Sequence, residues 1–115
     1  MTEFLDKAIT AHSAWKTRLR DAIHGKQQVD PATISKDNLC DLGKWIHGEG
    51  GAHSTKSEFQ ALKARHAEFH TCASKIAQMV KDGKNPDAEK ALEAAEFTGA
   101  SSKVISAIMT LKKII

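Results

Sequence analysis

Tyrosine is absent from the 115-residue chain, and proline occurs only at positions 31 and 86. So few turn signals argue against a strand-rich fold and for an all-helical one. Two cysteines, Cys40 and Cys72, are too few for a disulfide framework, and they suit an intracellular chain with free or metal-bound thiols. No apolar run approaches the ~20 residues that a bilayer span needs. The N-terminus, Met1 to Lys7, carries two acids and no apolar segment, so it is not a secretory signal. Charge of one sign is missing too. The formal net charge is only +3, with Lys and Arg interleaved among Asp and Glu, as on solvated helix faces. Nucleic-acid binding is therefore not expected. What remains is 41% apolar content, ordinary for one domain with one core spanning residues 1–115.

Helical periodicity is strongest from Thr55 to Asp82, where Phe59, Leu62, Phe69, Ala73, Ile76 and Val80 share one face. Thr55 and Glu58 have the spacing of a capping box, and Gly83 ends the helix. A first helix starts at Thr2 as cap and ends near Gly25, with Phe4, Leu5, Ala8, Ile9, Trp15, Leu19 and Ile23 as its stripe. Lys26 to Ile34 reads as a connector with an Asp30-Pro31 turn. A short helix capped by Ser35 or Asp37 follows, through Leu39, Cys40, Leu42, Trp45 and Ile46. Gly43 inside it costs ~1 kcal/mol against Ala, which calls for a reason such as close backbone approach. The Gly-rich stretch from His47 to Ser54 reads as a loop without the features of a phosphate-binding one. Asn85-Pro86 opens a last helix running to Ile115. That helix carries two apolar stripes: Ala88, Ala91, Leu92, Ala95, Gly99, Ser102 and Ile105, then Phe97, Val104, Ile108, Leu111 and Ile115. Two stripes on one helix imply two packing partners, which a larger core or a second subunit would provide, and a homodimer is the expectation. The expected architecture is an antiparallel four-helix bundle with three long helices and one short helix.

Within that frame four side chains carry metal-binding chemistry. His66 and His70 are four residues apart, so on a helix their Cβ atoms lie only ~5–6 Å apart and both imidazoles reach one ion. His12 falls mid-helix on an apolar face, level with that pair when the two helices lie side by side. Read alone, it is better taken as a core histidine bonded to a neighbour or to buried water. Cys40 sits in an early turn of the short helix, where the helix N-terminus favours thiolate, though a buried Cys is commonly just a small hydrophobe. Three imidazoles and one thiolate suit tetrahedral Zn(II), one per chain, and leave no position for water or substrate, which argues against catalysis. Affinity should then fall below the pH range where histidines titrate. Cys72 lies ~200° round the helix from His70, at ~100° per residue, and cannot join that pair on one ion. His24, His47 and His53 read as surface or loop residues.

Ala11-His12-Ser13-Ala14-Trp15-Lys16, Cys40-Asp41-Leu42-Gly43-Lys44-Trp45 and His66-Ala67-Glu68-Phe69-His70 resemble, in order and interval, the three motifs of the chemoreceptor zinc-binding (CZB) domain family. Cys-x-x-Gly-x-Trp is the most specific of the three. The resemblance implies that His12, Cys40, His66 and His70 are the zinc ligands and that Trp15, Gly43 and Trp45 are packing positions. It further implies a cytoplasmic bacterial sensory module, usually a homodimer, attached to a chemoreceptor or to a diguanylate cyclase. Zinc occupancy, or oxidation of the zinc-bound cysteine, would set the output of that effector domain, in cis or in trans. No effector domain accompanies the motifs, as expected of an excised domain or a free-standing member. The competing readings are a constitutive structural zinc module that only dimerises, and a hydrolase in which Cys40 turns away and water takes its place.

Overall fold

The computed structural model describes residues 2–25, 30–38 and 40–115. The side chain of Thr2, Leu39 on the short helix, and Lys26 to Val29 of the connector lie outside the described residues. Among those described, every regular element is helical.

The first two helices are α1 (Thr2–Ser13) and α2 (Trp15–Ile23). Ala14 between them keeps helical dihedrals (φ −77°, ψ −13°), donates to the Thr10 carbonyl at 3.1 Å and accepts from the Arg18 N–H at 3.1 Å. The pair is thus one nearly continuous rod, and it ends as expected at Gly25, whose φ of +77° suits glycine. A one-turn helix that the sequence reading missed, α3 (Pro31–Ile34), follows. Asp30 caps it by accepting from the Ala32 N–H (3.2 Å) and the Thr33 hydroxyl (2.7 Å), with proline in its first turn.

The short helix α4 (Asp41–Ile46) begins later than expected. Neither Ser35 nor Asp37 caps it; Cys40 does, its sulfur accepting from the Gly43 N–H at 3.4 Å. The reason for Gly43 is visible here: a Cβ would stand 1.8 Å from the Asp37 carbonyl oxygen. The glycine-rich loop holds a 3₁₀ turn, Glu49–His53, folded over Trp45.

The central helix α5 (Ser57–Lys81) buries Phe59, Leu62, Phe69, Ala73 and Ile76, the expected face except for the half-buried Val80. The expected Thr55/Glu58 capping box does not form. Lys56 is the extended cap residue (ψ 133°), so Thr55 lies one position too early to serve. Gly83 ends α5 at φ +77°, with the Lys84 N–H donating back to the Met79 carbonyl at 2.8 Å.

The expected last helix is two. α6 (Asn85–Glu93) and α7 (Ala95–Lys112) are separated by Ala94, which is extended at ψ 153°. Asn85 is not the cap of α6, since its amide donates to the Ile23 carbonyl at 3.2 Å and joins α6 to the end of α2. The break explains the two apolar stripes without a second partner for one rod. Ala88 and Leu92 are the buried face of α6, whereas Phe97, Val104, Ile108 and Leu111 are the buried face of α7. Of the rest of the first stripe, Ala91, Gly99 and Ile105 are half-buried, and Ala95 and Ser102 are exposed.

α5 packs on α7, α6, α2 and α3, and α1 packs on α7. Phe69 meets Phe97 at 5.6 Å near the start of α7, while Lys112 at its end pairs with Asp6 on α1. Lys16 (3.0 Å) and Arg20 (2.8 Å) on α2 hold Glu93 at the end of α6, and together they keep its carboxyl below the usual range. These pairs are exposed and contribute orientation more than stability.

Candidate metal centre

α1, the start of α4 and the middle of α5 bring His12, Cys40, His66 and His70 together, with one donor atom from each within 4.8 Å of all the others. The Cys40 sulfur lies 3.2 Å from His66 Nε2 and 3.6 Å from His70 Nε2, and the two Nε2 atoms are 3.0 Å apart. Bonds of ~2.0–2.1 Å to nitrogen and ~2.3 Å to sulfur in a tetrahedron give donor separations of roughly 3.3–3.6 Å. The set is thus close to the size zinc requires.

Two of the imidazoles are oriented by backbone carbonyls. His12 Nδ1 donates to the Ala8 carbonyl at 2.9 Å, and His70 Nδ1 donates to the Ile34 carbonyl at 3.0 Å. Placing the proton on Nδ1 leaves the Nε2 lone pair free, as a metal ligand needs. The one-turn helix α3 thereby acquires a role, because its last carbonyl fixes His70. His12 Nε2 is buried and has no hydrogen-bond partner, an expensive state unless a cation or proton meets it. His66 Nδ1 is also buried and unpartnered.

The surroundings are apolar and aromatic. Trp15 stands 5.8 Å from the His70 ring and Phe69 5.4 Å from that of His12. Burial is the main cause that lowers all three histidine pKa values. That of His66 falls to about 3, with nearby His70, His12 and His47 adding to the effect. His12 and His70 move the same way against the opposing pull of their carbonyl partners.

Cys40 departs from expectation. Burial raises its thiol pKa and outweighs the Gly43 and Leu42 N–H groups that favour thiolate. A helix N-terminus alone does not ionise this sulfur, and it needs a cation.

Metal uptake near neutral pH should therefore displace one proton, from Cys40, and none from the already neutral histidines. The expected result is a zinc affinity that rises about tenfold per pH unit between roughly pH 6.5 and 8, a slope that Cys40→Ala abolishes. Competition titrations across that range check it. The expected fall below the histidine range thus moves to the thiol, and a slope of two or more protons would contradict it.

The other sequence candidates stay apart. Cys72 is buried on α5, outside the four-donor cluster, and its thiol is also pushed up by burial. His24 is exposed, His47 faces Asp37 at 3.5 Å, and His53 is half-buried against Trp45 at 6.1 Å. Trp45 itself packs on Phe4 and Phe59, away from the donors. The residue that sequence reasoning missed is Ile34, which acts through its carbonyl. Only an Asp30-Pro31 turn was read there, and the one-turn helix that places Ile34 was not.

The family model described as chemoreceptor zinc-binding domain matches residues 12–77, from His12 into the last turns of α5. The chain belongs to the chemoreceptor zinc-binding domain family. Neither a curated protein nor a solved structure matches it. The CZB family binds zinc, and this CZB chain has one His3Cys cluster able to hold a metal ion. The matched span covers all three motifs but for Ala11, together with α3, and it stops before α6 and α7. Within the CZB match, Gly43 is the close-approach position and the donor to the Cys40 sulfur. No helix among the described residues is long and apolar enough to cross a membrane.

Proposed function

We propose that this chain is a regulatory zinc module of a cytoplasmic signalling protein, with His12, Cys40, His66 and His70 as the four ligands and no catalytic activity. The observation that carries the reading is the convergence of donors from three separate segments, α1, α4 and α5, on one buried point. When bound, zinc would cross-link those segments and hold the Cys40 thiol deprotonated. The chain's own residues supply the rest. Ala8 and Ile34 set the histidine tautomers, Gly43 braces the sulfur, and Trp15 and Phe69 exclude water. Donors on separate elements link occupancy to helix packing, as a two-state sensor requires. Four protein donors leave no position for a substrate, which supports the non-enzymatic reading.

The packing fits a four-helix bundle whose first member is α1–α2 and whose last is divided at Ala94. We further propose that the output reaches a chemoreceptor or diguanylate cyclase domain, in cis or in trans. A homodimer is part of this reading, supported by the exposed Met109 and Ile114 on and just beyond α7 and by the half-buried remnant of the first stripe. Light scattering at micromolar concentration should report twice the chain mass, and a monomer at high concentration would refute the pairing.

Two inputs are compatible with the centre. In the redox form, hypochlorous acid oxidises the bound Cys40 thiolate by two electrons to a sulfenic acid and is reduced to chloride, which removes the anionic ligand. Zinc-loaded chain should then lose metal in step with Cys40 modification, ahead of Cys72. Modification of Cys72 with the zinc retained would leave zinc level as the input. Titration against a competing chelator separates the sensor from the constitutive structural module. A sensor exchanges metal at physiological free zinc within the experiment, whereas a structural site stays loaded.

A further inference from the structure

The centre is not equally closed on all sides. His12, His66 and His70 are at most 2% exposed, but Cys40 is only half-buried. A cavity of ≈ 350 Å³ along α1 reaches that edge, with His12, Cys40, Trp15 and Leu42 among its lining residues. Its exposed charged residues are Lys7, Arg18 and Asp41, a net single positive charge. Neither Lys7 nor Arg18 makes an ion pair among the described residues. Arg18 is held in place by stacking 4.0 Å over the Trp15 ring. The volume is that of a small ligand pocket, at the lower end of the usual ~300–1,000 Å³ range.

Exchange at a metal held by four donors requires an incoming ligand to bond as one donor leaves. Here the most exposed of the four donor residues is Cys40. Lys7 and Arg18 outnumber Asp41 among the charges lining the cavity, so a bare dication is disfavoured there and an anion is drawn in. We propose that this cavity is the exchange port of the centre, through which zinc enters and leaves as a complex with a small carboxylate-bearing chelator collected by Lys7 and Arg18. Lys7 and Arg18 would hold the chelator's carboxylates at the edge where Cys40 is exposed, and a Cys40 thiolate released from the metal would take a proton from solvent. The inference rests on His12 and Cys40 being ligands, and it assigns a direction of approach that the ligand set alone does not.

The test uses the full chain loaded with one zinc, in wild-type, K7Q/R18Q and K7E/R18E forms. Stopped-flow withdrawal is followed with nitrilotriacetate, an anionic chelator, and with 1,10-phenanthroline, a neutral one. Withdrawal by nitrilotriacetate should slow roughly 5–10-fold in K7Q/R18Q and further in K7E/R18E. In wild type it should also slow between ~10 and ~300 mM salt, as a screened attraction does. Rates with 1,10-phenanthroline should stay within about twofold throughout, which controls for any loosening caused by losing the Arg18–Trp15 stack. Equal nitrilotriacetate rates in all three forms, or equal slowing of both chelators, would overturn the port. A wild-type chain that takes up no zinc refutes the ligand assignment and the port with it, whereas a loaded but charge-blind chain refutes the port alone.

Discussion

Replacing Cys40 or His66 by alanine should lower zinc affinity roughly 10²–10³-fold, since ~10–16 kcal/mol shared by four donors is about 2.5–4 kcal/mol each. His24→Ala and His53→Ala should leave it within about twofold, an expectation that follows from metal affinity residing in the donors and their direct supports. The contrast follows from placement. The Cys40 sulfur and His66 Nε2 are 3.2 Å apart inside the cluster, whereas His24 is exposed at the end of α2 and His53 lies against Trp45. Removing His66 also removes a buried imidazole whose pKa is held at about 3, so the metal-free variant should lose less stability toward acid than the parent, with the lowered His12 and His70 remaining. The sign is that of a lowered base. The parent's unfolded chain binds the proton below ~6.5, so its stability is lost as pH falls from there toward about 3. Competition with a chromophoric chelator measures the affinities, and equal losses from His53→Ala and His66→Ala would sink the ligand set.

Gly43→Ala should damage both fold and site. Alanine gains ~1 kcal/mol of helix propensity, but overpacking typically costs ~1–3 kcal/mol or more. The added Cβ would meet the Asp37 carbonyl oxygen at 1.8 Å and its carbon at 2.7 Å, both backbone atoms that cannot rotate away. The steric cost therefore wins, and a net loss of about 2 kcal/mol in the metal-free chain is expected. The segment from Asp37 to Asn38 leads directly to Cys40, and the Gly43 N–H donates to its sulfur at 3.4 Å. Zinc affinity should fall ~10–100-fold, as when a supporting hydrogen bond is removed. Denaturant melts and zinc titration check the two halves separately. Unchanged stability would mean that the approach at Asp37 relaxes freely.

The metal centre was more legible than the fold around it, for physical reasons. An i, i+4 histidine pair has one geometry on a helix, so His66 and His70 were readable before any packing was known. His12 was readable because a polar ring on the stripe of Leu5, Ala8, Trp15 and Leu19 needs a partner. Cys40 was readable by its chemistry but not by its position. The helix begins one residue after it because its own sulfur is the cap. The direction of its pKa was misjudged because burial, a tertiary property, outweighs the local N–H groups. Ile34 left no side-chain signal, since its carbonyl does the work. The break at Ala94 was hidden by the residue itself. Alanine is the best helix former, and only the packing of Leu92 and Phe97 into one core turns the chain there.

Zinc K-edge X-ray absorption on the loaded chain is the most direct test of the central claim. A centre built from His12, Cys40, His66 and His70 should give three nitrogen scatterers at ~2.0–2.1 Å and one sulfur at ~2.3 Å, and Cys40→Ala should erase the sulfur shell. A four-nitrogen or oxygen-rich shell without sulfur in the wild-type chain would contradict the account, since Cys40 would then stand outside the site.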